Sequence, residues 1–219
     1  MESGGNMTAI LICGGTLSAD FLTEVRKNYP DAVLYAVDGG LSVADDAGIV
    51  PDYLVGDFDT ANASLVERYE GRCVTIRHKP EKDATDTELA VDEALKRGAD
   101  CLLLLGATGS RMDHTMANIH MLYRISGMGK KACIINENNR ISLHKESFFL
   151  KKEELFGNYI SFLPFFGEVT GVTLKGFKYP LSKKTLTAGI SLGISNEGME
   201  ETMEVSFSSG YLLMIEARD

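Results

Sequence analysis

The chain has 219 residues, 44% hydrophobic and 24% charged, the balance of a soluble globular protein with room for one large domain or two small ones. A formal net charge of −9 argues against nucleic acid or an anionic membrane surface as partner, unless a bound metal inverts the local field. No apolar run approaches the ~20 residues of a membrane span, and the N-terminus lacks the basic start of a signal peptide. Four widely spaced cysteines without a Cys-x-x-Cys pair read as buried thiols in a reducing, cytoplasmic setting rather than as a zinc site.

Short apolar runs at 9–13, 32–37, 53–55, 73–76, 101–105 and 132–135 suit parallel strands buried on both faces. Helical patterns intervene at 18–28, 85–97 and 112–126. The second is the clearest: Thr85 and Glu88 form a capping-box pair, Leu89, Ala90 and Ala94 lie near one face, and Gly98 follows the end. Such alternation predicts an N-terminal open, mostly parallel sheet with flanking helices, residues 1–138. After about Ile141 the pattern changes to strand-like runs at 148–150, 159–163, 169–174, 189–194, 202–207 and 211–215, separated by Gly, Pro and polar turns. This predicts a C-terminal antiparallel β-sandwich or barrel, residues 139–219.

The chemistry-bearing residues gather at the presumed carboxyl ends of the first set of strands, where open α/β sheets bind ligands. Asp57 and Asp59 flank Phe58; in an extended segment they would share a face and need a cation between them. Asp83 and Asp86 sit where a strand leads into the 85–97 helix, a place where acids also serve simply to favour the helix dipole. Four carboxylates in two clusters suggest Mg²⁺, and Mg²⁺ suggests a phosphate substrate; Lys79 and Lys82 alongside suit a triphosphate. Gly14-Gly15 and Asp38-Gly39-Gly40 mark close turns after the first two strands. The segment 106–114 follows the strongest strand and opens a helix, so its glycines, Arg111 and the helix amides are placed to meet a phosphate. Neither a P-loop nor a Gly-x-Gly-x-x-Gly fingerprint is present. An aspartyl phosphatase would want Thr or Val two residues beyond the second Asp, where Ala61 stands, and nothing else in the chain supports a glycosyltransferase reading of Asp-x-Asp.

Taken together, Gly14-Gly15, Asp38-Gly39-Gly40, the Pro51–Thr60 stretch with Val-Gly-Asp57-Phe-Asp59, Lys82-Asp83-Ala-Thr85-Asp86, Gly109-Ser-Arg111-Met-Asp113-His114 and Ser195-Asn196-Glu197 resemble the thiamine pyrophosphokinase family. The resemblance spans nearly the whole chain. It implies an α/β domain joined to a β-sandwich, a homodimer with the active site near the subunit interface, and transfer of pyrophosphate from ATP to the hydroxyl of thiamine, releasing AMP. It also implies roles. Asp57, Asp59, Asp83 and Asp86 would handle Mg²⁺; on chemical grounds, one not fully committed to metal, Asp59 or Asp86, is expected to take the hydroxyl proton. Asp38, Gly39, Gly40, Lys82, Thr85, Thr108, Gly109, Arg111, Asp113 and His114 would contact ATP, and Ser195 and Asn196 thiamine. The chain has no Trp, so any aromatic wall for thiamine must be Phe or Tyr. Another Mg²⁺-dependent transferase, or a regulator that binds without turnover, are the competing readings.

Overall fold

The computed structural model describes residues 7–58, 63–78 and 83–219. It divides into two compact units, Met1–Glu137 and Asn138–Asp219.

In the first unit six strands, β1 (Thr8–Ile12), β2 (Val33–Val37), β3 (Tyr53–Gly56), β4 (Val74–Arg77), β5 (Cys101–Leu105) and β6 (Lys131–Ile135), pair in parallel in the order 4-3-2-1-5-6. Among the described residues, five helices connect them: α1 (Ala19–Asn28), α2 (Gly40–Asp46), α3 (Ala63–Tyr69), α4 (Asp86–Lys96) and α5 (Met112–Gly127). Central β1 is buried throughout Ala9–Ile12, as are Leu102–Leu105 of β5, because helices cover both faces of a parallel sheet and every side chain needs an apolar neighbour. Outermost β4 leaves Val74 half exposed. Over β2 and β3, Leu41 of α2 and Leu65, Val66 and Tyr69 of α3 enclose Ala36 and Leu54.

Helix starts follow the capping chemistry. Ser18 accepts a hydrogen bond from Phe21 N at the head of α1, and Thr85 accepts one from Glu88 N at the head of α4. The Glu88 carboxylate, expected to return the bond to Thr85, instead pairs with Arg124 of α5 at 2.9 Å, a charged partner being the stronger acceptor's choice.

The second unit is built from β7 (Asn139–His144), β8 (Phe148–Lys151), β9 (Tyr159–Lys175), β10 (Leu181–Leu186), β11 (Thr202–Ser206) and β12 (Ser209–Ala217). All pairings are antiparallel. β12 lies between β7 and the first part of β9, whereas the last part of β9 pairs with β10 and β11, and β11 with β8. One 17-residue strand thus serves two sheets, turning at Phe166 (φ 53°) and Gly167 (φ 120°). Ile160, Phe162, Val172, Leu174, Met203, Val205, Leu212 and Met214 fill the space enclosed.

Two sequence expectations are corrected here. The runs 159–163 and 169–174 belong to the single strand β9. The run 189–194 is no strand: Gly189, Gly193 and Ser195 all have left-handed backbone (φ 87°, 98° and 53°), which breaks the pleat into turns. That segment nonetheless lies along β9, with Phe162 N donating to Gly193 O and Ile160 exchanging two backbone bonds with Asn196.

Candidate active site

The strand order reverses between β1 and β5: β2 to β4 extend to one side of β1, β5 and β6 to the other. At such a switch point the loops leaving neighbouring strands diverge and open a crevice at the carboxyl ends. A cavity of ≈ 290 Å³ lies there. Its lining includes Cys13–Gly15 after β1, Asp38 after β2, residues 106–111 after β5, Asp86 and Thr87 of α4, and His114, Thr115 and Asn118 of α5.

The floor is set by backbone. Cys13 N donates to Leu105 O (2.8 Å), Gly15 N to Gly106 O (2.8 Å) and Thr16 N to Thr108 O (2.7 Å), so the β1–β5 ladder runs on past both strands into their loops. A Cβ on Gly15 would collide with the Gly106 and Thr108 carbonyls, and one on Gly40 with Ile12 O; only glycine permits these approaches. A third carbonyl, Ala107 O, accepts from Asn118 Nδ2 at 2.7 Å. Successive carbonyls of the turn are therefore engaged on the protein side, while among the described residues no acceptor takes the Ala107, Thr108 or Ser110 N–H. Main-chain N–H groups gathered at a helix N-terminus make an anion site.

Arg111 precedes α5 and forms a two-point fork with Asp113, Nε to Oδ1 at 3.2 Å and Nη2 to Oδ2 at 2.5 Å. The guanidinium and the His114 amide hold the Asp113 carboxyl down to about 2. Cys13 is buried in the cavity wall, and burial pushes its thiol up to about 12 against a smaller opposing effect of its Thr87 hydrogen bond. It is therefore a neutral thiol at physiological pH and no nucleophile.

Of the residues singled out from sequence, Asp38, Asp86, Thr108, Gly109, Arg111 and His114 meet at this cavity. Gly39 and Gly40 instead seat α2 against the end of β1, Gly39 facing Gly14. Thr85 caps α4, Asp113 orients Arg111, Asp57 is half-buried just after β3, and Asp83 is exposed. Asp59 and Lys82, like Lys79, lie outside the described residues. The backbone at Phe58 is left-handed rather than extended (φ 62°), and its ring lies under the Arg77 guanidinium. Left-handed backbone at Asp38 (φ 44°) and Phe58 is the kind of local strain that collects at functional sites. Among the described residues, no three His, Cys, Asp or Glu side chains stand together as a metal cage.

Sequence reading missed Cys13, Thr87, Thr115 and Asn118. Thr115 and Asn118 carried a signal: both are polar at three-residue spacing on the face of α5 that also carries Leu122 and Ile125.

In the second unit Ser195 is exposed, with its amide donating to Ser161 Oγ at 3.0 Å. Asn196 is 1% exposed: its Oδ1 accepts from Tyr179 N and Glu197 N, and its Nδ2 donates to Tyr179 O. It thereby holds Tyr179 at a second cavity of ≈ 260 Å³, lined also by Leu181, Ser191, Leu192 and Ile194.

The fold and first cavity define an open α/β domain with a crevice at its switch point, joined to an antiparallel β-rich unit. The catalytic-domain profile of thiamin pyrophosphokinase matches residues 28–134, and the profile of its vitamin B1 binding domain matches residues 146–212. Thiamine pyrophosphokinase of Bacillus subtilis is 36% identical over 84% of this chain and 86% of its own. Thiamine pyrophosphokinase 1 of rice is 25% identical over 77% and 67%. The crystal structure of the Bacillus subtilis enzyme superposes with a TM-score of 0.86 at 33% identity, covering 97% of this chain and 99% of that one. The yeast enzyme, at 17% identity and a TM-score of 0.77 over 99% and 87%, shares the fold. The chain belongs to the thiamine pyrophosphokinase family.

Proposed function

We propose that this chain transfers the pyrophosphoryl group of ATP to the primary hydroxyl of thiamine, giving thiamine diphosphate and AMP. The observation that carries this reading is the turn 106–111, whose Gly106, Ala107 and Thr108 carbonyls are tied back and whose amides lie at the head of α5 beside Arg111. A triphosphate would take those amides as donors and Arg111 as fixed charge, with Asp113 holding the guanidinium plane. The hydroxyl oxygen would form its bond to the β-phosphorus as the bond from that phosphorus to the oxygen of AMP breaks. Asp86, at the cavity from the first turn of α4, would accept the hydroxyl proton; Asp59 is the second candidate.

Mg²⁺ would be held by Asp57, Asp59, Asp83 and Asp86. Carboxylate oxygens are the ligands it takes, and it usually keeps several waters and shares itself with substrate phosphates. When bound, it would neutralise charge on the phosphate oxygens.

For thiamine, we place Ser195 and Asn196 at its site, with Tyr179 as the aromatic wall that Trp would otherwise supply. Tyr179 is half exposed beside Leu192 and Ile194, and the Lys178 charge near its ring is matched by Glu197 at 2.5 Å. The exposed Ile190, Leu192 and Ile194 give a homodimer an apolar contact, and four free thiols suit the cytoplasm.

The test is to quantify AMP and thiamine diphosphate from ATP, thiamine and Mg²⁺, with and without chelator. Equal yields of both products, abolished by chelator, support the reading; AMP without thiamine diphosphate, or no AMP, overturns it. Asp86→Asn should lower turnover by at least ~100-fold, the lower range for losing a positioned acid–base group. A folded Asp86→Asn protein with near-wild-type AMP release would remove Asp86 from the chemistry.

A further inference from the structure

We propose that Asn118 is a positioning residue that locks the Ala107–Thr108 peptide so that the Thr108 N–H faces the phosphate-bearing end of the nucleotide. The inference rests on the ATP reading of the cavity and adds a residue that reading does not use.

Asn118 is 6% exposed and sits on the face of α5 occupied by Met121, Leu122 and Ile125. A buried amide on an apolar face is tolerated only when it is hydrogen-bonded. Its Nδ2 donates to Ala107 O at 2.7 Å, and a carbonyl accepts only, so this bond fixes which end of the amide faces the turn. The Ala107 carbonyl and the Thr108 N–H belong to one trans peptide plane and point in opposite directions. Holding the carbonyl against α5 therefore aims the N–H away from α5's buried face.

The peptides on either side are held by other means. Gly106 O is taken by Gly15 N and Thr108 O by Thr16 N, which fixes the planes carrying the Ala107 and Gly109 amides. Thr115 Oγ1 lies 3.3 Å from both Gly109 N and Arg111 O, and Asn136 Nδ2 donates to Thr108 Oγ1 at 2.9 Å. Of these three planes among the described residues, the central one alone has its carbonyl held by a side chain. Without Asn118 that plane is free to flip, and a flipped peptide presents a carbonyl oxygen to the phosphates where an N–H is required.

Asn118→Asp tests this directly, since a carboxylate of the same shape repels Ala107 O instead of bonding it; Asn118→Ala removes the bond without adding charge. Two measurements are made on each folded variant: backbone hydrogen exchange over residues 106–111 without ligand, and steady-state KM for ATP and for thiamine. Exchange over 106–111 should rise while β1 and β9 stay protected. KM for ATP should rise about 10- to 100-fold, the range for losing one hydrogen bond to a charged group, with KM for thiamine within about twofold of wild type. A merely structural role would lower thermal stability and active fraction without separating the two KM values. Wild-type exchange over 106–111 and a wild-type KM for ATP in both variants would overturn the proposal. If the wild-type protein itself releases no AMP, the functional reading fails, and the exchange measurement alone decides whether Asn118 locks the peptide.

Discussion

Replacing Gly15 by Ala should uncouple the two loops that form the cavity floor. The new methyl would enter the space held by the Gly106 and Thr108 carbonyl oxygens, well inside the 3.0 Å that real Cβ atoms respect. Both obstacles are backbone, so neither can swing aside as a side chain would. The loops must part, which lengthens the Gly15 N–Gly106 O and Thr16 N–Thr108 O bonds, now 2.8 and 2.7 Å. At ~0.5–1.5 kcal/mol net for each, the loss is about 1–3 kcal/mol of stability. The kinetic effect is the larger: a shift of about 1 Å in a positioning element costs on the order of 100-fold in rate. Thermal denaturation and AMP release as a function of ATP would measure the two effects. Gly127→Ala is the matched control, because a Cβ there meets nothing within 4 Å and Gly127 lies in α5. It should leave the kinetics unchanged and raise stability by about 0.4–1 kcal/mol. Wild-type kinetics for Gly15→Ala would refute the claim that the glycine approach sets the floor.

Two further outcomes concern the second unit. His144 bonds Ser142 Oγ through Nε2 at 2.9 Å and stacks on Phe148; burial lowers its pKa from 6.5 to about 4, so the folded protein holds it neutral. Between those values the unfolded chain binds a proton that the folded chain refuses, so stability is full above pH 6.5 and falls as pH drops towards 4. The loss amounts to roughly 3 kcal/mol at most, and the wild-type-minus-His144→Gln difference in urea midpoint should shrink over that window; a difference independent of pH would contradict it. Glu216 is fully buried, accepting from Arg140 Nε and Nη2 (2.5 and 2.6 Å) and from Phe156 N at 3.1 Å. Arg140→Ala should cost about 3–5 kcal/mol by stranding that charge, whereas Arg140→Met with Glu216→Leu should recover most of it; equal midpoints for the single and double variants would count against the buried-charge argument.

What could be read from the residues followed from burial. β1, β2 and β5 were plain because the sheet centre demands continuous apolar runs, and α4 because Thr85 is a true cap. β10 was invisible: Leu181–Leu186 is exposed over most of its length and carries two lysines, so no alternation marks it. The run 189–194 misled for the opposite reason. Its Ile190, Leu192 and Ile194 alternate like a strand but are exposed side chains on a turn. At the cavity, Asp38, Asp86 and Arg111 were found through residue type and position. Asn118 was not: its spacing marks a polar residue on the buried face of α5, but not its bond to a main-chain carbonyl eleven positions away in sequence.

The shared strand β9 bears on how the second unit comes into being during synthesis. β7 and the first part of β9 do not pair with each other; β12 fills the place between them, and it follows both in chain order. Partners such as His144 and Leu212, or Tyr159 and Ala217, are separated by dozens of residues. While a ribosome is still adding the residues before 209, Ile160, Phe162 and Ile141 have no β12 to cover them, and two strand edges stand open. Non-local antiparallel pairing is slow and exposed to aggregation in that interval. The first unit has its own wait, β1 for β5, but that ends earlier in synthesis: β6 completes the unit before β7 is made. Release of nascent chains of increasing length should therefore yield a protease-resistant first unit well before the second resists at all.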